Sequence, residues 1–317
     1  GKNHPDVADS YNNIGNIYAA QGNYDKSLAC YEKSLKTRLA VFGENHPEVA
    51  SSYNNMGTVY RALGNYAKSL EYHEMALKIR LAVFGENHPD VASSYNNIGN
   101  IYDAQGNYDK SLEYHEKALK IKLSVFGEDH PKVATSYNNI GKVYHAMGNY
   151  DKSLEYHEKA LVIRQSVLVE NHPDIAKSYN NIGVIYYAQR LYDKSLGYYE
   201  KVLKIRLTVF GENHPDVASC CHNIGLVYCA QGHYDKSLEY HEKALKIRLT
   251  VFGENHPDVA KSYNDIGVIY YLQGDYEKSL ECFEATLRIR LSVLGEDHPD
   301  TVEVRNNIEE VKQKIGV

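Results

Sequence analysis

Paired asparagines recur through this sequence, and their chemistry is that of hydrogen bonding. They stand at Asn12-Asn13, Asn54-Asn55, Asn96-Asn97, Asn138-Asn139 and Asn180-Asn181, then as the variants His222-Asn223 and Asn264-Asp265, and again at Asn306-Asn307. A carboxamide offers both donors and an acceptor, the complement of a peptide backbone. A ladder of them could hold an extended peptide without reading its sequence. The same amides could instead bond neighbouring helices and order a stack. A second group is Cys220-Cys221-His222 with Cys229. Thiolates and imidazoles ligate zinc, but Cys220 and Cys229 would leave a helix on opposite faces, and their spacing matches no zinc pattern. No metal and no cofactor is expected. His73, His115, His157 and His241 share one repeated position, which points to a structural role. Without a Gly-rich phosphate loop, a nucleophile motif or a paired-carboxylate site, the chain is not expected to be an enzyme.

The elements that carry these residues follow from the punctuation. All 8 prolines lie in His-Pro pairs, at Pro5, Pro47, Pro89, Pro131, Pro173, Pro215, Pro257 and Pro299, each 42 residues from the last. A fixed period of this size means a repeat array rather than two globular cores. The expected layout is a single array over residues 1–317: repeats 5–46, 47–88, 89–130, 131–172, 173–214, 215–256 and 257–298, then a capping helix over 299–317. The formal net charge of −6 with no basic run argues against nucleic acid. No apolar stretch is long enough to span a membrane. Five irregularly placed cysteines, no signal peptide and no Asn-x-Ser/Thr sequon point to a cytoplasmic location. The chain begins at Gly1 within a linker, without an initiator Met, and reads as an excised fragment.

Residues 89–130 show how one repeat works. Pro89 suits the first turn of a helix, where its missing N–H would be unpaired anyway, and Asp90 complements the helix dipole. Val91, Tyr95, Ile98 and Tyr102 follow at helical spacing, and Gly106-Asn107 ends the run. A second helix starts near Tyr108 and carries Leu112, His115, Ala118, Leu119, Ile121, Val125 and Phe126. Gly127 can close it in a left-handed cap. Neither helix buries its apolar stripe alone, so stacked neighbours must form the core. Gly99 and its equivalents let the two helices approach closely. Val169 and Arg190 replace two expected glycines, and Gly197 lies inside a helix. The junction of the fourth and fifth repeats is therefore irregular, by drift or as a bend.

Tyr95-x-x-Ile98-Gly99-x-x-Tyr102, then Ser111-x-x-x-His115 and Ala118, resembles the tetratricopeptide signature with Tyr for the usual Trp. The ordinary repeat has about 34 residues, and the surplus here lengthens the second helix by roughly two turns. The Gly-Glu-Asn-His-Pro-Asp linker looks like that of kinesin light chain and nephrocystin-like arrays. The resemblance covers the whole chain. It departs in its tyrosines, which replace common leucines and alanines, and in the near identity of its repeats. It implies an all-α, right-handed α-solenoid of seven helical hairpins plus a C-terminal capping helix.

In such arrays the first helices line the concave groove. By resemblance its positions fall 5, 8, 9, 12, 15 and 16 residues past each His of His-Pro, and most of these cluster on one face at about 100° per residue. Candidate peptide-binding residues are Asn54, Asn55, Asn96, Asn97, Asn138, Asn139, Asn180, Asn181 and Asn223, with Lys142, Lys177, Lys261, Val184, Tyr187, Leu226, Val268 and Tyr271. The groove positions turn apolar or aromatic from the fifth repeat, with lysines beside them. An aromatic or aliphatic anchor flanked by acids would fit, and kinesin light chain arrays bind such peptides. The apolar groove could also be filled by the protein's own helix or by a neighbouring molecule. The leading expectation is a protein-interaction scaffold that holds an extended peptide, as in cargo or adaptor recognition. The alternative is a structural module that self-associates head to tail through its uncapped N-terminal repeat, or the sensor arm of a larger signalling protein.

Overall fold

A computed structural model describes residues 4–316; Gly1 to Asn3 and Val317, the ends of the expected array and of its capping helix, lie outside the described residues. Among the described residues every regular element is a helix. The first helices of the hairpins are α1 (Pro5–Ala20), α3 (Pro47–Ala62), α5 (Pro89–Ala104), α7 (Pro131–Ala146), α9 (Pro173–Ala188), α11 (Pro215–Ala230) and α13 (Pro257–Gln273). Their partners are α2 (Tyr24–Phe42), α4 (Tyr66–Phe84), α6 (Tyr108–Phe126), α8 (Tyr150–Val167), α10 (Tyr192–Phe210), α12 (Tyr234–Phe252) and α14 (Tyr276–Leu294). The last helix is α15 (Pro299–Ile315). The chain divides into two compact units, one ending at Val167 and the other starting at Leu168. In the first, α2 packs on α3, α4 on α5 and α6 on α7; in the second, α10 packs on α11, α12 on α13 and α14 on α15. Each unit is an all-α stack of tetratricopeptide-type helical hairpins, four in the first and three with α15 in the second.

The His-Pro pair starts each first helix in a way that the spacing alone does not show. The histidine is the N-cap: the Asp90 backbone N–H donates to His88 Nδ1 at 3.2 Å, and Pro89 needs no partner. The His88 ring also stacks on Phe84 at 4.1 Å, which fixes the turn from one repeat into the next.

The second helices end differently from the expected left-handed cap. Gly127 has φ 80° and ψ 173°, an extended conformation of positive φ that is open essentially to glycine alone. Where Val169 replaces this glycine, α8 ends at Val167 and Val169 does not adopt positive φ. Arg190 does take the conformation of the glycine it replaces, with φ 60°, at a cost of about 1 kcal/mol.

Each hairpin closes over a glycine. A Cβ on Gly99 would lie 2.9 Å from His115 Cε1, so only a bare backbone fits against that buried ring. The buried Ser111 hydroxyl donates to the Gly99 carbonyl at 2.9 Å across the same contact. Between hairpins, Val91, Ala92, Ala118 and Ile121 form a buried layer beneath Leu77, Leu81 and Tyr95. A buried basic side chain joins the layers. Arg38 Nη1 donates to the Glu48 carbonyl and the Ser52 hydroxyl, and its Nη2 meets the carboxylates of Asp9 and Glu48 at 2.9 and 2.7 Å.

Candidate functional site

The paired asparagines sit on the first helices, and each pair is divided between two tasks. In the first unit, Asn55 Nδ2 donates to Asn12 Oδ1 at 2.9 Å, Asn97 Nδ2 to Asn54 Oδ1 at 2.8 Å, and Asn139 Nδ2 to Asn96 Oδ1 at 2.6 Å. In the second unit, Asn223 Nδ2 donates to Asn180 Oδ1 at 3.3 Å. The second amide of one repeat therefore reaches the first amide of the repeat before it. Each rung adds about 1 kcal/mol of net stability and aligns adjacent first helices. Stack ordering accounts for why a poor helix former fills these mid-helix positions. It does not exhaust the amides. The Nδ2 groups of Asn54 and Asn96 and the Oδ1 atoms of Asn55 and Asn97 keep unused hydrogen-bonding capacity on a half-buried face. Asn138 is buried, whereas Asn181 is only partly so.

The other candidates divide by exposure. Lys142 and Lys261 are exposed, and Lys177 pairs with Asp174 at 2.9 Å on the surface, a contact of little energetic weight. Val184 and Tyr187 pack against the buried cluster of Tyr199, Ile224 and Val227, and the Tyr187 ring meets Tyr192 at 5.8 Å. Burial raises the Tyr187 phenol above its ordinary pKa. Tyr187 is thus part hairpin core, and a truncation there would disturb packing as well as any surface. Leu226 is half-buried outside that cluster, and Val268 is exposed. Tyr271 stacks edge-on with Tyr276 and donates its hydroxyl to Glu310 of α15. Val268, Tyr271, Phe283, Asn307 and Glu310 line a cleft of about 100 Å³, so the protein's own last helix occupies this end of the face.

Two features were not legible as a site in the sequence. The first is a cavity of about 400 Å³ beside Cys221, lined also by Leu203, Val217, Tyr240 and Ile247. Equivalent positions elsewhere hold a tyrosine tilted against its partner, as Tyr95 is against Tyr114 at 5.9 Å. Cys221 is smaller than the tyrosine at those positions, and the groove lies open beside it. Cys221→Tyr is expected to stabilise the protein by about 1 kcal/mol, through ring burial and a restored aromatic pair. Urea unfolding of the two proteins, with an unchanged helical spectrum, checks this. Cys220 is explained by the same comparison: Arg206 Nη1 donates to its sulfur at 3.3 Å, as Arg80 Nη1 does to Ser94 at 2.7 Å.

The second feature is the rung that joins the sixth and seventh repeats. There His222 and Asp265 replace the asparagine pair, with His222 Nδ1 at 3.1 Å from Asp265 Oδ2. His241 of α12 lies against them, its ring centroid 5.3 Å from that of His222. Sequence spacing directed attention to the cysteines instead. The signal that could have found this group is the interval of 43 residues that links the four amide rungs. At that interval two unusual residues fall opposite each other. Burial also lowers the imidazoles of His73, His115, His157 and His241 to about 4.

The chain belongs to the tetratricopeptide repeat family. The family model matches residues 6–82, 48–124, 90–166, 132–207, 174–250, 221–292 and 258–316. Among solved structures, the chain is similar to BtubC (BKLC) from P. vanneervenii, with 24% identity over 75% of this chain and 93% of that one, at a TM-score of 0.62. It is also similar to a Podosopora anserina chain described as a kinesin light chain with nearly identical TPR-like repeats, with 21% identity over 65% and 98% of the two chains and a TM-score of 0.57. A third likeness is to the tetratricopeptide repeat sensor-containing signal transduction ATPase PH0952 from Pyrococcus horikoshii, with 19% identity over 96% of this chain and 44% of that one, at a TM-score of 0.70. At these identities the likeness is one of fold. No curated protein matches the chain significantly. No helix among the described residues is long and apolar enough to cross a membrane.

Proposed function

We propose that this protein is an interaction scaffold whose first-helix face in the second unit holds an extended peptide. The observation that carries this reading is the change in that face: Val184, Leu226 and Val268 stand at one repeated position, with Lys177 and Lys261 alongside. Asn180 and Asn223 supply amides to the peptide backbone, and an aliphatic or aromatic anchor gains burial against the apolar positions. Acidic neighbours of the anchor meet the lysines. The first unit offers its amide rungs for backbone capture alone, without an apolar reading position. The kinesin light chain description of one structural relative agrees with cargo or adaptor recognition.

Lys261→Glu tests the electrostatic half of this reading, because the residue is exposed. About tenfold weaker binding of an aromatic-acidic peptide is expected, with a smaller dependence on salt than in the parent protein. Unchanged affinity and salt dependence would remove Lys261 from the site.

A second reading, end-to-end self-association, is favoured by a separate observation. Ile14 and Ile17 on α1 are 42% and 57% exposed, whereas the equivalent Ile98 and Ile101 are fully buried. A second copy would cover these two apolar side chains; alternatively the array is the sensor arm of a larger signalling protein, as the tetratricopeptide repeats of the ATPase relative are described.

A further inference from the structure

The ladder of asparagines changes character at one rung, where three helices of the second unit bring together His222 of α11, His241 of α12 and Asp265 of α13. One ligand atom from each lies within 4.8 Å of the other two. His241 Nε2 is buried without a hydrogen-bond partner, and the buried His222 Nδ1 and Asp265 Oδ2 face each other at 3.1 Å with no hydrogen bond to any other group among the described residues. His222 and His241 are 7% and 1% exposed. Asn264 Oδ1, beside Asp265, is also buried without a partner. Buried polar atoms are ordinarily satisfied. His73, His115 and His157 also keep a buried unpartnered nitrogen, so what distinguishes this place is that a second imidazole and a carboxylate converge on the histidine.

We propose that His222, His241 and Asp265 form a binding site for a divalent transition metal of the zinc type. Two imidazole nitrogens and one carboxylate oxygen are the donors of a borderline cation rather than of calcium or magnesium. Donors around tetrahedral zinc stand about 3.3 Å apart. His222 Nδ1 and Asp265 Oδ2 already have this separation, at 3.1 Å. Rotation of the His241 ring to close its gap, at most 4.8 Å, completes the set, and water takes the fourth position. The ion would offset the cost of a buried carboxylate and tie α11, α12 and α13 together.

The other rungs show why the grouping is specific. Rung Asn54–Asn97 also has a buried histidine nearby in its hairpin, His73, but its amides bond each other and present no ligand pair. Among the described residues, three donors meet only where both amides are replaced.

The test uses the metal-free 317-residue chain, titrated with Co²⁺ and then with Zn²⁺. The expected result is one Co²⁺ per chain with visible d–d absorption, no sulfur-to-cobalt charge-transfer band, displacement by one equivalent of Zn²⁺, and a raised thermal midpoint. The double variant H222N/D265N restores the amide pair of the other rungs and should fold. H241Y installs the residue found at the equivalent Tyr199. Each is expected to weaken binding by on the order of 100-fold or more. The proposal is overturned if the parent chain gives no Co²⁺ spectrum. It is also overturned if a charge-transfer band shows cysteine ligation, or if the folded double variant binds as tightly as the parent through its half-buried His-Pro histidines.

Discussion

In the metal-free protein, acidification from pH 7 to pH 5 is expected to destabilise the second, third, fourth and sixth hairpins by about 2 kcal/mol per histidine. Their histidines, His73, His115, His157 and His241, are 1–2% exposed and lie against a glycine of the first helix. Burial holds each imidazole neutral down to about 4, while the unfolded chain takes up the proton near 6.5. The native state thus binds fewer protons across that interval. Stability is full above 6.5, falls as pH drops, and levels off below about 4. The first, fifth and seventh hairpins hold Tyr31, Tyr199 and Phe283 at this place and lack the effect. Because an array unfolds by nearest-neighbour units, hydrogen exchange can locate the loss. At pH 5 the four histidine hairpins should lose protection first. The variant H73Y/H115Y/H157Y/H241Y should flatten the pH dependence; equal loss in all hairpins would refute the assignment.

The same substitution at two glycines should have opposite signs. Gly99→Ala is expected to cost about 2 kcal/mol net, because the new Cβ would stand 2.9 Å from a buried ring that has nowhere to move. This overpacking outweighs the roughly 1 kcal/mol that alanine contributes to a helix. Gly197→Ala, in the interior of α10, meets nothing within 4 Å and should stabilise by about that 1 kcal/mol. Urea unfolding of both variants checks the pair. Destabilisation by Gly197→Ala, or none by Gly99→Ala, would contradict the close-packing account.

These cases show what was legible in the sequence. Proline spacing and helical periodicity placed the hairpins, because both are local properties of one repeat. The close approach at Gly99 was legible as a need for a small residue. The ring it makes room for was not, since contact with His115 depends on how the two helices fold back on each other. The histidine N-caps were hidden behind the prolines that follow them. Tyr187 and Tyr271 were correctly singled out as departures from the repeated framework, yet their rings pack on Tyr192 and Tyr276, which their exposure alone could not have revealed. The amide pairs looked like one surface. In three dimensions the pair is split between neighbours, and the relevant interval is one repeat plus one residue. Read at that interval, His222 and Asp265 become a single substitution of one rung, whereas along the chain they are two unrelated variants.

The central claim is that the first-helix face recognises an extended peptide. The direct measurement is fluorescence anisotropy of labelled aromatic-acidic, basic and scrambled peptides with the intact chain, beside light scattering of the protein alone. The account predicts micromolar, salt-sensitive binding of the aromatic-acidic set, weakened by Leu226→Ala and Lys261→Glu in proteins of unchanged helix content. Binding by no peptide class, together with a mass that rises with concentration and is held monomeric by Ile17→Glu, would contradict it and make the amide ladder a stacking device.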